Sequence, residues 1–459
     1  MISLLSRSFF RTIIISIIVL SGFIYITGAQ QDRNVVVADI WRVMSEHSGI
    51  EEESLWPGFN IQDIPVAVYD SINTWLFFSD NAPDGFEPVK GNSEVYIFKG
   101  QYPMVRGNSI TRFGETWTAT SILSNYSRRT NERYTVKDMA GIIIHEQFHI
   151  FQRTRHQGWR QNDGVLLFYP KDTKDALFLR RVEKEAFKRA VLAKNKKEIV
   201  GWAVVAMDYR KERLGKVSEE YRNYEKELQL TEGLSDYIER VARGLDPLNA
   251  SNITNGIAPA GIRDLGYWEG RWIAMICDKL NPGWKMNLEN NDTLFLEQIL
   301  GSLLNDYSYR KKTFSKRELS IIKSDVEEDF KEWQLKTAEE VEKYRNLSGY
   351  YIEINSLSNP LNIRIFEPLE IEILSDGAVF HRVIFSAANE RGSIRILNHP
   401  CITFFNESYR MIKLIIYGLH EAPEEIRNEK RIILKSGNIT LELNYSEMKV
   451  NGSDYFIWI

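Results

Sequence analysis

Two hydrophobic patterns divide this chain into three regions. Between residues 36 and 134, polar turn clusters separate short apolar runs such as PVAVYD, TWLFF, EVYIF and TWTATSIL, which predicts a small antiparallel sheet. From Thr135 to about residue 345, the apolar positions recur at helical spacing. After Gly349, short runs rich in Ile, Leu and Phe repeat between Asn, Gly, Ser and Pro turns, which is typical of a β-sandwich.

These patterns predict an α+β fold that ends in an all-β sandwich. We expect the β-rich and helical regions to form one functional domain, with the helices as its second layer. The expected segments are an export segment at 1–29, a β-rich part at 30–134, a helical part at 135–312, a polar helical linker at 313–348 and the sandwich at 349–459.

The first residues have the pattern of an export signal. Arg7 and Arg11 precede a run of uncharged, mostly apolar residues that ends at Ala29. Small residues near Ala29 favour cleavage before Gln30, but a run of about eighteen apolar residues is also long enough to remain as a membrane anchor. Both alternatives place the rest of the chain outside the cytoplasm, as a secreted, periplasmic or cell-surface protein.

Composition narrows the possible partners. A net charge of −4 over 459 residues gives no electrostatic reason to bind nucleic acid. Cys277 and Cys401 are the only cysteines, each in an apolar run, and we interpret both as buried free thiols. A single long-range disulfide between them is the alternative.

The strongest chemical signal is GIIIHEQFHIFQ, in which His145, Glu146 and His149 fit the His-Glu-x-x-His pattern of zinc peptidases. Four residues advance an α-helix by about one turn, so both imidazoles project from one face and can hold one tetrahedral ion. Glu146 is then placed to take a proton from the attacking water. Thr135 is expected to cap this helix at its N-terminus.

A catalytic zinc takes three protein ligands, so a third ligand is needed. Glu232 begins the helix-like run EGLSDYIERVARG, and we favour it over Glu183 and Glu185, whose neighbours are typical of an amphipathic helix with a charged outer face. Asp236 lies one helical turn after Glu232. It either accepts the free N–H of a ligand histidine or is a plain surface carboxylate.

The motifs His145-Glu146-x-x-His149 and Glu232-Gly-Leu-Ser-Asp236 resemble those of the gluzincins, the thermolysin-like zinc metallopeptidases, within about residues 60–300. In that family a glutamate that opens a second helix is the third zinc ligand, and Glu232 matches it. The resemblance implies one zinc ion per chain and a zincin-like catalytic unit, in which an antiparallel sheet lies over the active helix and a helical subdomain follows. The chain departs from the pattern because 82 residues separate His149 from Glu232, where many members have far fewer.

Two further features are candidates for the reaction. Peptide hydrolysis needs a group that stabilises the oxyanion, and Tyr267 is our candidate because it precedes Gly270 by three residues at the expected start of an apolar helix. This resembles the arrangement around the stabilising tyrosine of aminopeptidase-like gluzincins, although packing is the ordinary role of an aromatic residue there. The run GETWTATSIL is a candidate edge strand for a substrate backbone, with ordinary sheet packing as the alternative.

The sequence therefore predicts an exported zinc metallopeptidase that hydrolyses peptide bonds with zinc-bound water activated by Glu146. Its expected partner is a peptide or protein substrate. Two alternatives stay open. One is a non-catalytic binding or scaffold protein on a peptidase fold, and the other is a zinc hydrolase of a non-peptide amide or ester.

Overall fold

The structure is a computed structural model that describes residues 55–90, 92–122, 136–170, 173–244 and 260–459. The predicted export segment and the predicted cap residue Thr135 lie outside these ranges. Contacts divide the chain into two compact units. The first unit comprises Met1–Gln157 and Ile238–Asp246, and the second comprises Gly158–Tyr237 and Pro247–Ile459.

The described strands of the first unit form one six-stranded sheet in the order β3-β4-β2-β1-β6-β5. Strands β1 and β6 run parallel and the other neighbours run antiparallel, so the predicted purely antiparallel sheet is wrong and the sheet is mixed. The sequence run assigned to an edge strand forms β6, which lies between β1 and β5 and therefore has no free edge. The strands are β1 (Val66–Tyr69), β2 (Asn73–Phe77), β3 (Glu87–Val89), β4 (Asn92–Lys99), β5 (Ser109–Phe113) and β6 (Thr116–Ile122).

Helix α1 (Val136–Arg155) follows the sheet and carries the His-Glu-x-x-His motif. Its apolar side is anchored by Phe148, whose ring meets the rings of Trp56 and Phe59 edge-on at centroid distances of 5.5 and 5.1 Å. Such aromatic contacts add to the free energy gained by burying the rings. They fix the rotation of α1 about its own axis.

The described helices of the second unit follow the expected helical pattern, and the predicted polar linker is a single 30-residue helix. Helix α5 begins in the second unit and continues into the first. The helices are α2 (Lys174–Leu192), α3 (Lys196–Leu214), α4 (Glu219–Leu228), α5 (Leu234–Arg243), α6 (Ala260–Leu280), α7 (Lys285–Glu289), α8 (Leu296–Asn305) and α9 (Lys316–Arg345).

A cluster of buried charges holds the second unit's helices together. Arg210 and Arg213 on α3 are 1% and 2% exposed, and their guanidinium groups donate hydrogen bonds to the carboxylates of Glu183, Glu225 and Glu269. Buried charges persist in proteins only when they are paired in this way. The expected outer-face position of Glu183 is therefore wrong, since its side chain is fully buried.

Between α4 and α5 the chain forms a π-helical turn at Gln229–Gly233, which we call the π segment. The backbone N–H of Leu234 donates to the carbonyl of Gln229. The π segment packs closely on α6, because a Cβ on Gly270 would lie 2.6 Å from the carbonyl oxygen of Gln229 and 2.7 Å from Cα of Gly233. Only glycine at 233 and 270 allows the two backbones this approach.

The predicted C-terminal sandwich is confirmed, and its first strand begins at Tyr350. All its strand pairs are antiparallel except β7 with β19. The bounds are β7 (Tyr350–Asn355), β8 (Leu361–Phe366), β9 (Ile371–Ile373), β10 (Val379–His381), β11 (Ile384–Asn389), β12 (Gly392–Leu397), β13 (Cys401–Phe405), β14 (Arg410–Leu419), β15 (Glu424–Asn428), β16 (Arg431–Ser436), β17 (Ile439–Asn444), β18 (Glu447–Asn451) and β19 (Asp454–Trp458).

The sandwich also contacts the helical part of its own unit. In a 3₁₀ turn at Asp163–Phe168, the ring of Phe168 meets the ring of Tyr409 edge-on at 4.9 Å. Tyr409 lies in the β13–β14 turn at a φ of +59° and also contacts Glu220 through its hydroxyl. The sandwich thus holds the far end of this 3₁₀ turn.

The two cysteines are buried free thiols, as predicted. Burial raises the pKa of both thiols, which keeps them protonated. Within the described ranges, no helix combines the length and apolar character that a membrane span requires.

We expect Gly270→Ala to lower the free energy of unfolding by about 1–3 kcal/mol, because its Cβ would press on backbone atoms that cannot yield without moving a helix. Gly301→Ala is the matched control, since a Cβ at that helical position meets nothing within 4 Å. Alanine there should stabilise the protein by about 0.5–1 kcal/mol through helix propensity. Urea unfolding measures the stability of both variants. Equal stability of the two would contradict the close packing at Gly270.

Candidate metal centre

His145 and His149 lie on one face of α1 and point their Nε2 atoms at each other. These two atoms are 3.1 Å apart. Zn–N bonds of about 2.0–2.1 Å at a tetrahedral angle separate two ligand nitrogens by roughly 3.3 Å. The predicted pair of imidazoles therefore has the separation that a single ion requires.

The other nitrogen of each ring has a polar neighbour that sets the ring's orientation. Nδ1 of His149 lies 2.9 Å from Oε1 of Gln152, one turn further along α1. Nδ1 of His145 faces Oε2 of Glu239 on α5 at 3.5 Å, which is a polar contact longer than a standard hydrogen bond. With protons on Nδ1, both rings direct the Nε2 lone pair inward.

Glu239 is itself held as a charged carboxylate. Burial acts to raise the pKa of Glu239, but the neighbouring His145 and Arg243 outweigh it and hold this pKa below its usual value. Arg243 also pairs with Asp138 on α1. A Cβ on Gly141 would lie 2.6 Å from Cγ of Arg243, so glycine one turn before His145 makes room for these side chains.

Glu146 is half-buried and follows His145 directly on α1. Its neighbour Gln147 is fully buried, and the Gln147 side-chain amide donates to the carbonyls of Ile61 and Ile64 at 2.7 and 2.8 Å. These bonds tie the middle of the motif to the segment that precedes β1. The motif therefore sits on a fixed stretch of helix, as a catalytic group requires.

Glu232 lies in the π segment and is 5% exposed. Oε1 of Glu232 accepts a hydrogen bond from Nη2 of Arg263 at 2.7 Å and one from Nε2 of Gln161 at 3.4 Å. Asp163 accepts from Nη1 of the same arginine at 2.6 Å. The carboxylate is thus buried and held by donors from two other segments.

His145 and His149 each offer one ring nitrogen, and Glu232 offers one carboxylate oxygen. Two imidazoles and one carboxylate are the donor set of many catalytic zinc sites. The residues present therefore fit the ion that the family resemblance implies.

The remaining predicted residues have other neighbours. Asp236 pairs with Arg271. It was the candidate acceptor for a free N–H of a ligand histidine, but Nδ1 of His145 faces Glu239 and Nδ1 of His149 faces Gln152. The π segment explains this difference, because the α-helical spacing used to place Asp236 beside Glu232 does not hold across a π turn.

Tyr267 was expected at a helix start, but α6 already begins at Ala260, so Tyr267 lies two turns inside the helix. It is half-buried and follows Arg263 by one turn on α6. Its neighbour Gly270 is required for close packing on the π segment. Packing therefore explains Gly270, whose spacing from Tyr267 had suggested a tyrosine that stabilises the oxyanion.

The rival ligands for the metal are engaged elsewhere. Glu183 accepts hydrogen bonds from Arg210 and Arg213, and Glu185 pairs with Arg189 on its own helix. Both carboxylates thus serve ion pairs of the second unit. The preference for Glu232 over this pair remains our prediction.

Sequence reasoning missed Glu239 and the Arg263–Asp163 pair. Glu239 follows Glu232 by seven residues, but this spacing crosses the π segment, so α-helical periodicity did not mark it. Arg263 and Asp163 come from segments distant in sequence from Glu232, and no local pattern marks them.

Comparisons of this chain with protein-family models, with curated proteins and with solved structures find no match. Any functional interpretation therefore depends on the chemistry of the residues described above.

We expect Glu239→Gln to weaken zinc binding roughly 10- to 100-fold, the usual cost of losing a carboxylate that orients a ligand histidine. The matched control is Glu227→Gln, which changes a half-buried glutamate on α4 outside the predicted ligand set. Competition with a chromophoric chelator measures both affinities. Equal zinc affinity of the two variants would show that Glu239 does not orient His145.

Proposed function

We propose that this chain is an exported zinc-dependent peptidase in which His145, His149 and Glu232 hold one metal ion. The observation that carries the proposal is the pair of imidazoles on α1, whose Nε2 atoms face each other at 3.1 Å while their Nδ1 atoms face Glu239 and Gln152. A zinc ion held there would act as a Lewis acid on the substrate carbonyl and make water more acidic.

Glu146 is the proposed general base. It follows a proposed metal ligand on the same helix, and half-burial leaves its carboxylate partly accessible. The carboxylate takes a proton from the attacking water and then passes it to the leaving amine. Tyr267 is the proposed hydrogen-bond donor to the oxyanion that develops on the scissile carbonyl.

Glu146 also favours catalysis over the alternative of a binding or scaffold protein with a structural zinc. A structural site is closed by four protein ligands and has no use for a base beside an open position. Hydrolysis of a non-peptide amide or ester would use the same residues and is the second candidate. We propose a peptide or protein as substrate, export through the segment at 1–29 with cleavage or retention of that segment, and no role for nucleic acid.

The test is metal content by mass spectrometry of the purified exported protein, combined with cleavage of a mixed peptide library. We expect the wild-type protein to hold about one zinc and to cut peptides. Glu146→Gln should retain the zinc and lose activity by at least about 10²-fold, because the proton acceptor is missing. Glu232→Ala should lose the metal, since two imidazoles alone bind it weakly.

Glu185→Ala is the control for Glu232→Ala, because it removes one of the rival glutamates from an ion pair with Arg189. It should keep both zinc and activity. A wild-type protein without zinc would contradict the proposal. A zinc-loaded protein that cuts no peptide would favour the amide or ester hydrolase, and assays with small amide and ester substrates would then identify it.

A further inference from the structure

His381 is a histidine inside the core of the sandwich. It is the last residue of β10 and is 1% exposed. Three phenylalanine rings lie around its imidazole, at centroid distances of 4.7 Å for Phe385, 6.3 Å for Phe366 and 6.4 Å for Phe405. These rings come from β11, β8 and β13. An ionisable side chain thus occupies a site whose neighbours are mostly aromatic.

One nitrogen of this imidazole has a hydrogen-bonding neighbour, and the other has none among the described residues. Nε2 lies 2.8 Å from Oγ1 of Thr403, and this hydroxyl in turn lies 3.5 Å from the carbonyl oxygen of Val379. Nδ1 is buried without a hydrogen-bond partner in the part of the chain that the structure describes. A proton on Nε2, donated to Thr403, satisfies this arrangement, and Nδ1 then carries only a lone pair.

The charges near His381 are engaged elsewhere or lie in solvent. Arg382 pairs with Glu340 of α9 and lies 3.8 Å from Glu372, while Arg364 is exposed. Burial raises the pKa of the Cys401 thiol, so this group stays neutral. The described titratable side chains on the neighbouring elements are Arg364 on β8, Glu367 and Glu370 in the turn before β9, Glu372 on β9, Arg382 after β10 and Cys401 on β13.

Burial alone lowers the pKa of His381 from its usual 6.5 to about 3. A histidine that is exposed when the sandwich opens binds a proton once the pH falls below about 6.5, whereas the buried imidazole does so only near pH 3. In the closed sandwich, a proton on Nδ1 would create a buried charge and a donor for which the described residues offer no acceptor. The contribution of His381 to stability is therefore complete above pH 6.5 and is lost as the pH falls towards 3.

Opening of the sandwich at His381 would reach the helical part of the same unit. The ring of Phe405, which lies beside His381, also meets the ring of Phe168 edge-on at 6.1 Å. Phe168 is the last residue of the 3₁₀ turn and contacts Tyr409 as well. Both contacts thus come from β13 and the turn that follows it, and β13 is the hydrogen-bonded neighbour of β10.

We propose that His381 makes the sandwich acid-sensitive: the neutral imidazole completes the core between β8, β10, β11 and β13, and its protonation opens these strands and releases their hold on the 3₁₀ turn. A phenylalanine would suit the same aromatic surroundings without this sensitivity, so the histidine adds a pH dependence that packing does not require. The inference goes beyond the proposed peptidase and depends on no bound metal.

The test is backbone hydrogen–deuterium exchange of the full exported protein, read by mass spectrometry for the peptides that contain β10 and β13. After correction for the intrinsic exchange rate at each pH, it gives the equilibrium constant for opening of these strands. The variants are His381→Gln, which keeps a donor for Thr403, and His381→Phe, which suits the aromatic surroundings. The matched control is His420→Gln, because His420 is an exposed histidine at the end of β14.

Between pH 7.5 and pH 4.5, we expect the opening constant of the wild-type protein to rise about 100-fold more than that of either His381 variant. The reason is that His381 contributes about tenfold per pH unit below 6.5. Groups that titrate equally in the proteins compared cancel in this ratio. His420→Gln should behave like the wild-type protein.

An equal rise in the wild-type protein and both His381 variants would overturn the inference. If neither variant folds, deuterium exchange at the imidazole C2 atom of His381 in the wild-type protein decides instead, because its rate depends on the protonation of the ring. A ring that stays neutral until the strands open would support the inference. A ring that titrates near pH 6.5 while β10 and β13 remain protected would overturn it, since the closed core would then accept the charge. Zinc content and peptide cleavage at neutral pH are separate readouts, so the proposed peptidase stands or fails independently.

Discussion

The buried ion pairs around Arg210 and Arg213 are the constraint on which the second unit depends. Each arginine is almost fully buried. Every carboxylate that pairs with it must therefore lie at the matching position along its own helix axis. Removal of one partner from such a pair typically costs about 3–5 kcal/mol because a charge is left buried and unpaired. The registers of α2, α3, α4 and α6 are thereby locked. Arg263 lies on α6 and Glu232 lies in the π segment that follows α4, so charges that neither residue contacts help to position both.

Local patterns in the sequence were sufficient to predict much of the architecture. Alternating apolar runs located strands in both the first sheet and the sandwich, because side-chain alternation depends only on neighbouring residues. The charged stretch after residue 313 forms one long helix, α9, and its helical pattern is likewise local in the sequence. The facing imidazoles of His145 and His149 also follow from spacing alone, since four residues fix their separation on any α-helix.

The features that escaped prediction depend on contacts between distant segments. The parallel pairing of β1 with β6 involves strands about fifty residues apart, and no alternation pattern distinguishes a parallel from an antiparallel partner. The π segment depends on the glycine contact with α6, so α-helical spacing misplaced Asp236. Arg263 and Glu239 approach their partners only after the helices have packed. The proposed ligands carried a sequence signal, whereas the residues that orient them did not.

The contact of Phe168 with Tyr409 has a consequence for how this chain can be divided. The boundary near residue 348 separates helices from strands, and it invites expression of a shorter protein that ends there. Such a fragment would expose the aromatic face of Phe168 and release the end of the turn that begins with Asp163. The sandwich therefore belongs to the second unit as part of its packing, and a protease that removed it would loosen the surroundings of Glu232 without cutting near that residue.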